Sequence, residues 1–378
     1  MDFTHEFPIL STGRIHMNHA GVAPLTARAR DAMAAYARDA CAHMGTEAHN
    51  GWFARIAEIR ASIGAYLNAS ADEIAFVKNT TQGLQIVANS LTWNPGECIV
   101  VEQTTFPANW YTWKSLEQRH GVRVLEWPER NHRYELDDLE QLLRDNNVRL
   151  VSLSAADFAT GFHHDLAACG QLIKQAGALY CIDAIQVLGA FPIDVEACQA
   201  DFLSADSHKW LLGPEGAGLF YARRSRYAEM NDFHSGWIGR KNFMDFDQRP
   251  APPDDTARRF EEGCLNIGGV LGLGASLDVL LECGAAEVER RLRHNRAVLV
   301  EGLGELGWEL VSPPDSAHSG GTASVRHPAI DAQTAAQRLD EAGILCAARN
   351  GLLRFSGHFY QPEEQLHRVI EAVAALAR

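Results

Sequence analysis

The chain has 378 residues with 48 acidic and 34 basic side chains, which gives a formal net charge of −14 and a pI near 5.6. This balance disfavours binding to nucleic acid, and the sequence contains no basic run of the kind that nucleic-acid binders use. Because single hydrophobic cores stop growing at roughly 250–300 residues, we expect two domains.

Targeting and metal signals are missing from the sequence. It has no basic-then-apolar segment near the N-terminus, and no stretch approaches the roughly 20 apolar residues of a membrane span. We therefore expect a cytoplasmic protein that does not enter membranes and whose partners are small molecules. The eight cysteines form no CxxC pair and no zinc-like cluster, so we expect free thiols and no metal. Neighbouring residues cannot share one face of an element, so His163 and His164 are predicted to lie in a surface loop.

Residues 25–44 and 51–70 carry apolar side chains at helical spacing, which predicts two helices after a turn at residues 18–24. From residue 73 onward, strand-like and helix-like segments alternate. Predicted strands cover 73–79, 97–103, 122–127, 148–156, 179–185 and 201–207, and predicted helices cover 80–92, 109–120, 134–145 and 166–177. The alternation predicts an α/β fold with a mostly parallel central sheet, helices on both faces and a site at the carboxyl ends of the strands.

The pattern changes after a proline- and charge-rich stretch at residues 249–259, which is predicted to be an exposed loop. A long helix is expected next, followed by a helix at 288–306, strands at 307–313 and 321–328, a helix at 331–343, a strand at 352–360 and a last helix. This order predicts a smaller α+β domain. We therefore expect an N-terminal substrate-site segment at residues 1–25, a large domain at 26–260, and an interdomain helix with a small C-terminal domain at 261–378.

The segment from Ser204 to Gly218 places Lys209 after a histidine and before a glycine-rich turn. Upstream, the predicted strand at 179–185 carries Asp183 near its end. A lysine there can form a Schiff base with pyridoxal 5′-phosphate (PLP), and a carboxylate can pair with the pyridinium nitrogen and keep the ring electron-poor. Either residue alone has an ordinary explanation, a solvated lysine or a helix N-cap. Their order along the chain favours the cofactor.

Seven sequence blocks carry a family resemblance. They are MNHAGVAP (17–24), NTTQGL (79–84), FPANW (106–110), CIDAIQ (181–186), SHKWLLGPEGAG (207–218), FEEGCLNIGG (260–269) and LLRFSGHFYQPEE (352–364). In these blocks the chain resembles class V PLP enzymes of fold type I, a group that includes cysteine desulfurases, kynureninases and isopenicillin N epimerase-like proteins. The resemblance implies the fold type I architecture, a PLP cofactor and a homodimer with shared active sites.

The resemblance assigns the phosphate group of PLP to Thr80 and Thr81, joined by His208. A phosphate is well held there because Thr80 falls at a predicted helix N-terminus, where Thr can also serve simply as an N-cap. Asp206 stands where the family commonly has a small hydroxyl residue. A carboxylate repels a phosphate, so Asp206 is expected to turn away and Ser207 to substitute for it.

The resemblance also assigns contacts to the cofactor ring. Phe106 is expected to cover the face opposite Lys209, at a position where cysteine desulfurases have a histidine and kynureninase-like members a phenylalanine; without the motif it would be read as core. Asp157 stands where the family often has an amide that reaches the phenolic oxygen, and Gln186 is preferred for that contact. Cys264 replaces a small hydroxyl residue in a block that contributes to the neighbouring subunit's phosphate site.

Arg354 is expected to bind the substrate α-carboxylate through two parallel hydrogen bonds, with Asn18 completing that site. The alternative is a surface arginine. His19 could reach the ring face opposite the lysine. The family's desulfurases carry a nucleophilic cysteine on a mobile loop just before this arginine, but here only seven residues separate Cys346 from Arg354.

These residues predict an enzyme that acts on the α-carbon of an amino acid, with Lys209 and Asp183 catalytic. The expected chemistry is that of an aminotransferase or a C–S lyase, on a small or sulfur-containing amino acid. An epimerase or a cysteine desulfurase-like enzyme remains an alternative. A non-catalytic PLP-binding regulatory protein is the rival from another class, and it is opposed by the presence of Lys209, Asp183 and Arg354 together.

Overall fold

The computed structural model describes residues 1–247 and 249–377. Its helices are α1 Ala27–Ala42, α2 Thr46–Tyr66, α3 Thr80–Ser90, α4 Pro107–His120, α5 Leu136–Asp145, α6 Leu166–Gln175, α7 Ile267–Cys283, α8 Ala285–Glu305, α9 Ala332–Glu341 and α10 Glu363–Ala374. Its strands are β1 Ile15–His16, β2 Ile74–Val77, β3 Cys98–Glu102, β4 Arg123–Trp127, β5 Val148–Ser154, β6 Leu179–Asp183, β7 Phe202–Asp206, β8 Gly218–Ala222, β9 Glu309–Leu310, β10 Thr322–Arg326, β11 Ile344–Leu345, β12 Ala347–Arg349 and β13 Leu352–Ser356.

The large sheet has seven strands in the order β2–β8–β7–β6–β5–β3–β4, and β8 runs against the other six. Alternate residues of its strands enter two different cores. Val151 and Leu153 of β5 pack with α2, α5, α6 and α7, whereas Leu150 packs on the opposite face with α3 and α4. A parallel sheet must be covered on both faces, and the continuous apolar strands satisfy that requirement. The predicted α/β fold with a mostly parallel sheet is confirmed.

A second sheet has four antiparallel strands in the order β12–β13–β10–β9. It packs with α8, α9 and α10 around a third core that includes Leu299, Phe355 and Leu366. The N-terminal segment belongs to this core: β1 pairs in parallel with β11, and Met17 is fully buried there.

The parallel arrangement brings the last residues of five strands to one edge of the large sheet. These residues are Val77, Glu102, Ser154, Asp183 and Asp206. The edge is the carboxyl end of the sheet, where ligands of open α/β folds bind.

The structure differs from the sequence expectations at two local points. No strand is predicted for Gly218–Ala222, which forms β8 directly after the glycine-rich turn. The predicted long helix and the predicted helix at 288–306 correspond to α7 and α8, which are bent by 82° at their junction. His164 is buried rather than in a surface loop, and its Nε2 lies 3.0 Å from Glu102 Oε1.

Among the described residues, no single helix is long and apolar enough to cross a membrane. The pair α7 and α8 passes that test together, by length and composition, as a bent pair.

Helix α3 packs closely on β7, a central strand of the large sheet, and this packing generates a prediction. A Cβ atom added to Gly83 of α3 would lie 2.1 Å from Ser204 Oγ and 2.6 Å from Ser204 Cβ. We predict that Gly83→Ala lowers the free energy of unfolding by about 1–3 kcal/mol, because α3 must move away from β7. Urea unfolding followed by circular dichroism measures this change.

Gly304 of α8 is the matched control, because it is exposed and a Cβ atom there meets no atom within 4 Å. Gly304→Ala should raise stability by about 0.5–1 kcal/mol through helix propensity. Equal unfolding midpoints for Gly83→Ala and the parent would contradict the packing described here.

Candidate active site

A cavity of about 410 Å³ opens at the carboxyl edge of the large sheet, and residues of the second sheet form part of its wall. Of the sequence-predicted site residues, it brings together Thr80, Thr81, Phe106, Asp183, Gln186, His208, Lys209 and Arg354. The cavity therefore collects side chains from α3, the start of α4, the ends of β6 and β7, and β13.

Lys209 and Asp183 are both buried in this cavity, and burial shifts their pKa values in opposite directions. Desolvation lowers the pKa of Lys209 from 10.5 to about 8, although Asp183 opposes the shift. Desolvation raises the pKa of Asp183 to about 6, against hydrogen bonds and the positive charge of Lys209 that lower it. Both pKa values therefore lie close to neutral pH, so each group can gain or lose a proton there, which is typical of functional sites.

The Asp183 carboxylate is held by a hydrogen bond to each of its oxygens. Its Oδ1 accepts from the Ile185 amide at 3.1 Å, and its Oδ2 accepts from Asn109 Nδ2 at 2.9 Å. The orientation of the Asn109 amide is fixed in turn, because its Oδ1 accepts from Ser152 Oγ at 2.9 Å and from Trp113 Nε1 at 3.3 Å. Asn109 therefore presents a donor to the ionised form of Asp183.

The N-terminus of α3 faces the cavity. Asn79 caps the helix by accepting from the Gln82 amide at 2.9 Å, which leaves the amides of Thr80 and Thr81 without an acceptor inside the helix. The Thr80 hydroxyl accepts from the Asp206 amide at 3.0 Å and keeps its own proton for another acceptor. Free amides, a hydroxyl and the positive end of the helix form a binding place for an anion.

Asp206 lines the cavity, but its carboxylate is directed to local partners. Its Oδ1 accepts from the Ser207 amide at 2.7 Å, and its Oδ2 lies 2.9 Å from His208 Nδ1. That close pair does not meet hydrogen-bond geometry, so the buried Nδ1 of His208 has no hydrogen-bond partner. The structure does not place Ser207 in the cavity: its hydroxyl donates to the Pro214 carbonyl at 2.7 Å.

Two aromatic side chains, Phe106 and Phe158, form part of the cavity wall. Phe106 lies 5.3 Å from Phe158 between ring centroids in an edge-to-face arrangement, and Lys209 Nζ lies 5.7 Å from the Phe106 centroid. Phe106 remains 42% exposed, so its ring is available to cover a ligand.

Gln186 also lines the cavity. Its Nε2 donates to the Ala20 carbonyl at 3.1 Å, and its Oε1 accepts from Trp210 Nε1 at 3.3 Å. These two hydrogen bonds determine the orientation of the Gln186 amide.

Arg354 enters the cavity from β13 and is almost fully buried. Its Nη1 donates to the Phe158 carbonyl, and its Nη2 donates to Asn18 Oδ1 at 3.2 Å. Its buried Nε has no hydrogen-bond partner. Desolvation, helped by Arg349, lowers the pKa of Arg354 to about 10, so the guanidinium is still a cation at neutral pH.

The structure places four further predicted residues outside the lining of this cavity, namely Asp157, His19, Cys264 and Asn18. Asp157 is committed to its own loop, because its Oδ1 accepts from the Ala159 and Thr160 amides and its Oδ2 accepts from Thr104. His19 is fully buried; its Nδ1 lies 2.9 Å from the Ser356 carbonyl and its Nε2 2.9 Å from the Tyr360 hydroxyl.

Cys264 is exposed and lines a different cavity. Asn18 accepts a hydrogen bond from Arg354 but does not itself line the cavity. The sequence reasoning missed Asn109, Phe158 and Arg349. Asn109 belongs to the quoted FPANW block, so the block pointed to it without assigning it a role.

The family model for aminotransferase class V matches residues 15–369. The chain belongs to this family. A probable cysteine desulfurase of Methanothermobacter thermautotrophicus is 27% identical, with 100% of this chain and 98% of that protein covered. An uncharacterized aminotransferase, YcbU, of Bacillus subtilis is 28% identical over 82% of this chain and 80% of its own length.

Solved structures agree with the fold. The apo structure of a cysteine desulfurase from Thermococcus onnurineus NA1 superposes with a TM-score of 0.91 at 24% identity, covering 99% of this chain and 97% of that one. A complex between the cystine C–S lyase C-DES and its product cysteine persulfide gives a TM-score of 0.90 at 22% identity, with 98% and 99% coverage. At these identities the likeness establishes the fold.

The chain is therefore a PLP-dependent enzyme of the class V family. Its residues fit the cofactor on their own evidence. Lys209 is a buried amine with a lowered pKa, Asp183 is a buried carboxylate, and the amides of Thr80 and Thr81 begin a helix that faces the same cavity. His208, whose buried Nδ1 has no hydrogen-bond partner, lines the same cavity.

The lowered pKa of Lys209 generates a pH prediction. Below about pH 8 the amine is protonated and cannot attack an aldehyde, whereas above it the amine is neutral. We predict that the initial rate of covalent cofactor uptake by the cofactor-free protein rises by about tenfold per pH unit and levels off above about pH 8. Stopped-flow absorbance measures this rate.

Asp183→Asn removes a negative charge that raises the pKa of Lys209, so the midpoint should move to lower pH. Asp206→Asn should move it in the same direction by less, because Asp206 contributes less to the shift. A midpoint that stays unchanged in Asp183→Asn would show that the two groups are not electrostatically coupled.

Proposed function

We propose that this enzyme is a C–S lyase that removes the sulfur substituent from the β-carbon of a cysteine derivative. The reaction converts RS–CH₂–CH(NH₃⁺)–COO⁻ and water into RSH, pyruvate and ammonium. Curated relatives named as probable cysteine desulfurases, and a structural neighbour named as a cystine C–S lyase, support carbon–sulfur chemistry.

The main supporting observation is that, within residues 1–247 and 249–377, no cysteine thiol lines the cavity that contains Lys209. Cys346 lies between β11 and β12 against the third core, and burial raises the pKa of its thiol to about 12. Such a thiol is not a nucleophile at neutral pH. The sulfur is therefore expected to leave on the substrate fragment rather than to be transferred to a cysteine of the enzyme.

Each site residue has a distinct proposed role. Arg354 and Asn18 orient the substrate α-carboxylate, because the free Nε of Arg354 and its charge suit a carboxylate. Thr80, Thr81 and His208 hold the phosphate of PLP, Phe106 covers its ring, and Gln186 is assigned to the phenolic oxygen. When bound, PLP supplies an electron sink for charge that develops at the α-carbon.

Lys209 and Asp183 handle protons. The Lys209 amine, with its lowered pKa, removes the proton from Cα of the substrate. The Asp183 carboxylate, oriented by Asn109, holds the proton on the ring nitrogen. Loss of RS⁻ from Cβ follows removal of the Cα proton, and RS⁻ takes up that proton from the Lys209 ammonium to leave as RSH. Water then hydrolyses the remaining three-carbon fragment to pyruvate and ammonium.

Epimerisation is disfavoured because it needs a base on the face opposite Lys209. That wall carries Phe106 and Phe158, and both ring nitrogens of His19 are engaged away from the cavity. Transamination would use the same residues, Lys209 and Arg354. Only the reaction products distinguish it from the lyase reaction.

The product assay separates these reactions. We predict that the holoenzyme, supplied with S-substituted L-cysteines, forms pyruvate, ammonium and the free thiol in equal amounts. Lys209→Ala should lower this rate by at least about a thousandfold, because the general base is lost. Oxo acid without ammonium would identify a transaminase, and a D-amino acid product would identify an epimerase; either result contradicts the lyase.

We also propose a cytoplasmic homodimer with the domain division at residues 25/26 and 260/261. All eight cysteines are free thiols, which supports a reducing compartment. The exposed Cys264 lines a second cavity with Gly263 and Asn266, close to the start of α7. Cys264 is proposed to lie at the partner's phosphate site, as the family resemblance implies.

The dimer proposal predicts that a large and a small side chain at position 264 have different effects. Cys264→Trp should release the cofactor and lower the dimer fraction in light scattering, because its indole does not fit between the subunits. Cys264→Ser should keep both properties. An active monomer at assay concentration would contradict the shared site.

A further inference from the structure

Arg349 is a second arginine in the wall of the cavity that contains Lys209 and Arg354. It is the last residue of β12 and is exposed. Its Nη1 donates to the Ala348 carbonyl at 2.8 Å, and none of the ion pairs among residues 1–247 and 249–377 involves it. A guanidinium at a ligand cavity with no carboxylate partner is available for an anion.

The β12–β13 hairpin determines where Arg349 points. Asn350 and Gly351 have φ angles of 50° and 76°, so a two-residue turn of left-handed conformation joins the strands directly. In the antiparallel register Ala347 lies opposite Arg354, and Arg349 lies opposite Leu352. Cross-strand partners and alternate residues share one face of a sheet, so Arg349 and Arg354 lie on the same face as diagonal neighbours.

Diagonal neighbours of this kind have Cβ atoms about 7–8 Å apart or somewhat less. Two long guanidinium side chains at that spacing can bind two anionic groups of one small molecule. The acids in the cavity wall do not compete for them, because Asp183 is bound by Asn109 and Asp206 lies against His208. The end of the cavity formed by the hairpin is therefore positively charged.

We propose that Arg349 binds a second anionic group, carried at the far end of the substrate side chain, and so selects amino acids with an acidic side-chain terminus. The inference rests on the proposed function, in which Arg354 holds the α-carboxylate. The preferred substrates are then S-substituted cysteines whose substituent ends in a carboxylate, and a neutral substituent of equal size is a poor substrate.

A matched substrate pair tests this proposal in the holoenzyme. S-carboxymethyl-L-cysteine and S-carbamoylmethyl-L-cysteine differ by a carboxylate against an amide and have nearly the same shape. We expect kcat/KM to favour the carboxylate by about tenfold, the low end for a charge-assisted contact because Arg349 is exposed. Arg349→Gln should abolish the preference by raising KM for the carboxylate substrate much more than KM for the amide substrate.

Two control variants separate contact from general charge. Arg349→Lys keeps the charge but loses the bidentate fork, so it should retain a reduced preference. Arg368→Gln changes the net charge equally at an exposed position of α10 and should behave like the parent. A preference that survives in Arg349→Gln, or that is lost in Arg368→Gln, would overturn the proposal.

A binding experiment keeps the subsite testable if the lyase assignment fails. Glutarate and glutaramate carry no amino group and cannot react, and they differ by one carboxylate against an amide. Calorimetric titration of the holoenzyme should show about tenfold tighter binding of glutarate, lost in Arg349→Gln. No turnover of either cysteine derivative with this binding difference intact would refute the lyase alone, whereas equal binding of the two acids would refute the subsite.

Discussion

The burial of an opposite-charge pair, Lys209 and Asp183, at one edge of a parallel sheet is the constraint on which the site depends. Neither group is in water, so each holds its charge at an energetic cost that the other partly offsets. The pKa values of about 8 and about 6 follow from this balance. Asn109 then decides the orientation of Asp183, and its own orientation depends on the hydroxyl of Ser152 and the indole of Trp113.

Both sheets are needed to complete the cavity. The large sheet supplies the residues assigned to the cofactor at the ends of its parallel strands, and β13 of the second sheet supplies Arg354. Arg354 is buried against the Phe158 carbonyl and the Asn18 side chain, so three distant parts of the chain meet at one guanidinium. If Arg354 binds the substrate carboxylate as proposed, a shift of the second sheet relative to the first moves that carboxylate relative to Lys209, which connects the packing of the two sheets to catalysis.

The sequence predicted the strand–helix alternation because apolar runs bounded by polar turns persist whatever surrounds them. It also predicted the cavity residues at strand ends, such as Asp183, because parallel strands end at one edge. It could not place Asp157 or His19 correctly relative to the cavity, because their hydrogen bonds to residues of their loop or of a distant segment decide where they point. Asn109 and Arg349 were missed for the same reason: an asparagine in a helix and an arginine in a hairpin acquire their roles only through tertiary neighbours.

The β12–β13 hairpin connects the choice of reaction with the choice of substrate. A long mobile loop before Arg354 could bring a thiol to the substrate sulfur, but a two-residue turn cannot reach across the cavity. The same short turn places Arg349 in the cavity wall. The guanidinium of Arg349 therefore stands where a longer loop would have to enter the cavity. Under the proposed function, an enzyme built this way leaves the sulfur on the departing fragment and recognises that fragment by charge. The absence of a long loop before Arg354 and the proposed anion subsite at Arg349 are then two consequences of the same hairpin, among the residues that the structure describes.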